Sequence, residues 1–182
     1  MKIIVLDAGH GQSNRKKGVW DPGAVAGGIE EALVAWKWVM SLKHYLGKLG
    51  VPVRMTRQGY EDDCPLNSRR AGHGALLVSV HCNAAANPKA HGAEVLMASV
   101  QLGHLLCVAD RLVATLASCP VSNRGVKERS GLAVLNNSKS AVLLEVGFLS
   151  NLVDRTAIIS DAHRKNVCQR LADALAGCGL VM

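Results

Sequence analysis

The chain has 182 residues, 49% of them hydrophobic, with six cysteines and a formal net charge of +7. That length and composition suit one compact domain, residues 1–182, with a core of its own, and they exclude a disordered chain and a disulfide-stapled mini-domain. No apolar run is long enough to span a bilayer; the positive charge favours a polyanionic partner without choosing which, and aromatics at 3% without an interleaved basic run weaken the case for single-stranded nucleic acid.

In chain order, a first strand is expected at Lys2–Leu6, where a β-branched and leucine-rich run resembles a strand buried on both faces of a parallel sheet. It leads into Asp7-Ala8-Gly9-His10-Gly11 and then a polar loop, Gly11–Trp20, that carries Arg15-Lys16-Lys17. A helix is predicted over Glu30–Leu49, stopped by Gly50 and Pro52, with Ala35, Trp38, Leu42, Tyr45, Leu46 and Leu49 as its inward stripe. A strand at Val51–Thr56 and an acidic loop at Gln58–Pro65 come next, followed by strands at Leu76–Val80 and Ala93–Met97. Then come a helix at Gln101–Ala117, strands at Gly131–Leu135 and Ala141–Leu144, and a final helix at Asp161–Ala176, with Asp161 as its N-cap and Gly177 as its stop. This alternation predicts an α/β single-domain three-layer sandwich, a largely parallel twisted sheet of about six strands with helices on both faces.

Ligands in open α/β sheets bind beyond the carboxyl ends of the strands. Three predicted strands lead there into chemistry: the first into His10, Leu76–Val80 into His81, and Ala141–Leu144 into Glu145. Extending the inward stripe of the first helix back by four residues lands on Glu31, whereas Glu30 belongs to the solvated row of Lys37, Ser41, His44 and Lys48. An acid at an inward position is costly to bury without a partner, so Glu31 is the candidate third ligand. His10, Glu31 and His81 make a His-Glu-His set of the kind that holds catalytic zinc, and Glu145 suits the carboxylate that handles the proton. The residues alone leave this reading level with one in which they are ordinary strand-end side chains.

Arg15 and Lys16 are candidates for holding a negative substrate, against the reading of a solvated loop. His91, preceding Ala93–Met97, is expected at the opposite rim if that strand is parallel; Cys82, beside His81, is expected in the core, and the cysteines as free thiols. Gly9–Asn14 is a poor dinucleotide fingerprint, since Asn14 replaces the third glycine and no helix follows.

Several ordered motifs resemble the zinc-dependent N-acetylmuramoyl-L-alanine amidases of the family-three, cell-wall type, from Ile3 to about Leu175. They are Leu6-Asp7-Ala8-Gly9-His10-Gly11, Asp21-Pro22-Gly23-Ala24, Met55-Thr56-Arg57, Ser79-Val80-His81-Cys82-Asn83-Ala84, Asn123-Arg124-Gly125-Val126-Lys127 and Leu144–Asn151. The resemblance implies one Zn2+ on His10, Glu31 and His81, with Glu145 as the catalytic glutamate. It also implies cleavage of the amide between N-acetylmuramic acid and L-alanine of the peptidoglycan stem peptide, with Asn83, Arg15 and Lys16 touching the muropeptide. The expected form is a monomer without nucleic acid or membrane insertion.

With no secretory signal ahead of the first strand, the expectation is an endolysin made in the cytoplasm and acting on the wall after release, or else a trimmed exported enzyme. The competing readings are an amidase fold that binds wall fragments without turnover, a zinc carboxypeptidase using Arg57 or Arg124 on a terminal carboxylate, and, last, a nucleic-acid binder.

Overall fold

Strand β1 (Ile3–Ala8) is buried at every position after Ile3, as a strand covered on both faces must be. The computed structural model describes residues 3–101, 103–118 and 120–178, so Lys2, Leu102 and Cys119 lie outside the described residues. After β1 come two short hairpins, β2 (Gly11–Gln12) with β3 (Trp20–Asp21) and β4 (Val25–Ala26) with β5 (Ile29–Glu30). Then follow α1 (Glu31–Lys48), β6 (Val53–Met55), a 3-10 turn (Leu66–Ser68), β7 (Ala75–Asn83) and β8 (Ala93–Met97). The chain continues through α2 (Gly103–Leu116), β9 (Asn123–Glu128), α3 (Ala133–Asn136), β10 (Ala141–Phe148), α4 (Leu152–Ile159) and α5 (Asp161–Gly177).

The main sheet has six strands in the order β6-β1-β7-β10-β8-β9. The first four run parallel; β8 is antiparallel to β10, and β9 is parallel to β8. One rim therefore gathers the carboxyl ends of β1, β7 and β10 together with the starts of β8 and β9. This corrects the expectation for His91: with β8 reversed, the residue lies at the same rim as His81, not the opposite one.

Helices lie on both faces, unequally. On one face α1, α2 and α5 cover a large core that includes Trp38, Leu42, Leu46, Leu112, Leu116 and Leu171. Of the inward stripe, Leu49 is 44% exposed and caps the helix from outside it. Among the described residues the other face carries only α3 and the 3-10 turn, packed through Leu132, Val134, Leu135 and Leu66 onto Val5, Leu77, Leu96 and Leu143. Side chains two residues apart on a strand share a face, so Asp7, Ser79, His81, Glu94 and Glu145 all point to this thinly covered side.

The strand predicted at Gly131–Leu135 is not one: Ala133–Asn136 forms the helical turn α3, and the sixth strand is β9. A short apolar run does not reveal its own period, and here Val134 and Leu135 bury as a helical turn. Strand β9, an edge strand in which Val126 is the one apolar residue, has no such run to announce it. Helix α4 was likewise not expected; Asn151 caps it by accepting from the Val153 and Asp154 N–H groups. The cap of α5 is Ser160, whose hydroxyl accepts from the His163 N–H, rather than Asp161.

Candidate active site

The turn after β1 is strained and braced. His10 has a φ of +59°, a left-handed conformation uncommon outside glycine, and its carbonyl accepts from Arg57 Nη1 at 2.8 Å and Arg69 Nη2 at 2.6 Å. Arg69 in turn pairs with Asp7 at 3.0 Å, whose carboxylate also accepts from Thr56 and Ser79. Burial works to raise the Asp7 carboxyl, but Arg69 and the two hydroxyls outweigh it and hold it below its ordinary value. The network aims the His10 imidazole across the rim.

Glu31 opens α1, where the helix N-terminus favours a carboxylate, and it is only 4% exposed. Its Oε1 accepts from the Cys82 N–H at 3.0 Å and lies 3.1 Å from His10 Nε2 and 2.9 Å from His81 Nδ1. Its Oε2 accepts from the Ala24 N–H at 2.9 Å. Burial pushes the Glu31 carboxyl up, yet the two imidazoles win and hold it far below the carboxylate range. For His10, burial works downward, while Glu31 and Asp21 together raise it. One donor atom from each of His10, Glu31 and His81 lies within 4.8 Å of the others.

Glu145 sits in β10 directly beside His81 of β7, and both line a cavity of about 520 Å³ on the thinly covered face. Its Oε2 is buried and has no hydrogen-bond partner among the described residues. Burial, reinforced by the charges of Glu31 and Glu94, pushes its carboxyl up to about 8. Both His81 and Glu145 lie inside strands that run on to Asn83 and Phe148, past the predicted ends. Cys82 is buried, as expected for its alternation with His81.

Among the residues expected to touch substrate, Asn83 and Arg15 line the cavity. Lys16 lines neither this cavity nor the adjoining one of about 610 Å³, where Arg15 and Lys17 stand instead.

Two further carboxylates take part. Asp21 lies 3.1 Å from His10 Nδ1 and also accepts from Asn14, from Arg15 and from the Gly23 N–H, so its carboxyl sits at about 2 despite its burial. Its place in the Asp21–Ala24 motif was the signal, but only the β2–β3 pairing, which sets Gly11 opposite Asp21, puts it against His10. Glu94 pairs across the sheet with Glu145 and is reached only because β8 is antiparallel.

Known proteins resemble the chain over nearly all its length. The probable cell wall amidase LytH of Staphylococcus aureus is 32% identical over 178 residues, which are 96% of this chain and 57% of that protein. The chain thus spans a little over half the length of this curated relative. An N-acetylmuramoyl-L-alanine amidase from Clostridium difficile 630 has the same fold, with a TM-score of 0.83 and 24% identity, covering 96% of this chain and 95% of that one. The catalytic domain of the CD27L endolysin targeting Clostridia difficile also shares it, with a TM-score of 0.77 and 22% identity over 97% of both chains. Residues 4–177 match the family profile described as N-acetylmuramoyl-L-alanine amidase, and the chain belongs to that family.

Proposed function

We propose that residues 1–182 act as one catalytic domain that hydrolyses the amide between N-acetylmuramic acid and L-alanine of the peptidoglycan stem peptide. The observation that carries this reading is the meeting of a His-Glu-His donor set with Glu145, a cavity-lining carboxylate whose buried Oε2 lacks a partner. Membership of the amidase family supplies the bond. No helix among the described residues is long and apolar enough to cross a membrane.

The donor set fits zinc, which takes imidazole nitrogen and carboxylate oxygen and, in catalytic sites, three protein ligands with one position open. His10 through Nε2, His81 through Nδ1 and Glu31 through Oε1 would hold it. When bound, zinc supplies Lewis-acid polarisation of the amide carbonyl and a lowered pKa for water. Asp21 accepts the Nδ1 proton of His10 and so keeps Nε2 free for the metal. Glu145 takes a proton from the attacking water, and the carbon–oxygen bond forms. As the carbon–nitrogen bond breaks, Glu145 gives that proton to the departing alanine amine. A carboxyl resting at about 8 is a poor base at neutral pH, and a cation in the donor set lowers it towards its working range.

The test is digestion of purified peptidoglycan with and without a chelator, with mass spectrometry of the new ends. Free L-alanine amines on intact stem peptides, lost on chelation and restored by zinc, are the expected result. Release of C-terminal residues would make the enzyme a carboxypeptidase, and no release would make it a binding protein. The lytic role of an endolysin is tested by the same protein added to permeabilised cells, where turbidity should fall.

A further inference from the structure

Glu94 is 4% exposed, yet it is served by three donors. Its Oε1 accepts from Asn83 Nδ2 at 3.0 Å, and its Oε2 accepts from Arg124 Nε at 2.8 Å and Lys127 Nζ at 2.5 Å. One buried carboxylate needs one cation; here β9 brings two, and the Arg124 and Lys127 side chains remain 34% and 30% exposed. The Arg124 guanidinium lies 4.9 Å over the Phe148 ring and also donates to the His91 carbonyl at 3.2 Å. Its plane is therefore fixed before any ligand arrives, which favours recognition of a planar carboxylate.

The position of this pair follows from the sheet order. Along the rim stand the donor set, on the turn after β1, on α1 and on β7, then Glu145 on β10, then Glu94 on β8 and the two cations on β9. If Glu145 hands its proton to the departing amine, the stem peptide leaves the donor set on the Glu145 side, towards β9. Two strand spacings are about 10 Å, which about three extended residues span. The glycan limb of the substrate is uncharged, whereas the peptide limb carries carboxylates.

We propose that Arg124 and Lys127, aligned by Glu94, bind a carboxylate of the stem peptide within about three residues of the scissile amide and make the enzyme selective for it. The inference rests on the substrate reading given above. Arg124 and Lys127 are specificity residues, and Glu94 is their positioning residue.

The test compares two soluble muropeptides, one with free peptide carboxylates and one with those carboxylates converted to amides. The wild type should prefer the free acid by about tenfold in kcat/KM, carried by KM. In Arg124→Gln and in Lys127→Gln that preference should fall towards one, while Lys127→Arg should keep most of it. A ratio of rates on one preparation does not depend on the fraction folded, so a merely structural role of these residues would lower both rates and leave the preference standing. That result, or a wild type indifferent to amidation, overturns the inference while leaving the amidase reading intact. Failure of the wild type to release an alanine amine from either muropeptide overturns the amidase reading, and the inference with it.

Discussion

In the proposed site His10 presents Nε2 to the metal from a left-handed backbone, and Asp21 is the side chain hydrogen-bonded to its other ring nitrogen. Asp21→Asn keeps the size but loses the charge-assisted bond, so zinc affinity should drop about tenfold or more, read by competition against a chromophoric chelator. Unchanged affinity would remove Asp21 from the site. Glu145→Gln should bind one zinc per chain but lose turnover by at least about a hundredfold on purified peptidoglycan, since in the proposed mechanism its carboxylate moves the proton. A variant that keeps wild-type turnover would displace Glu145 from that role. Glu31 was legible because a helix stripe carried back four residues forces an acid inward, and Glu30 indeed turns away, accepting from Trp20 Nε1. Asp21 was not, because its partner comes to it through a two-residue hairpin that no periodicity marks.

At the scale of elements, the link between the two short hairpins sets the spacing of the proposed ligands His10 and Glu31. Gly23 has a φ of +68°, and a Cβ there would stand 2.6 Å from His10 Cδ2 and 2.7 Å from Glu31 Oε2. Gly23→Ala should therefore part the two ligands, weakening zinc binding at least about tenfold and costing about 1–3 kcal/mol of stability. Chelator competition and thermal melting would measure both, and a variant with normal zinc affinity would show that the linker does not set the spacing. The central strands were legible because each is a continuous buried run. Strand β9 was not, because an edge strand half open to water has little apolar pattern to read, and the reversal of β8 was not, because side-chain alternation carries no direction. Those two features bring Glu94 to the rim beside Arg124 and Lys127, residues that the Asn123–Lys127 motif had singled out without placing them against a carboxylate.

Across the whole molecule, the site lies on the side of the sheet that α3 and the 3-10 turn cover only thinly, and the opposite, thickly packed face carries most of the core. The candidate site gathers several buried titratable groups on that side. In the metal-free protein, Asp7 and Glu31 have carboxyls held below their ordinary values, so their stabilisation is present above about pH 4 and is lost on acidification. His10 is raised, so its contribution is full below about pH 6.5 and fades as pH rises through its folded value. Glu145, raised to about 8, binds a proton in the folded state that the unfolded chain releases, so it too costs stability as pH climbs through that value. Metal-free protein should thus melt highest in the weakly acidic range and lower on either side. Zinc requires neutral imidazoles, and His10, raised by Glu31 and Asp21, keeps its proton in the metal-free site until pH climbs through its folded value, so the rise in melting temperature on adding zinc should grow from pH 5 to pH 8, by several degrees or more. Melting curves at matched zinc concentration would measure it, and a zinc increment that stays level or shrinks over that range would mean that His10, Glu31 and His81 are not the groups that take the metal.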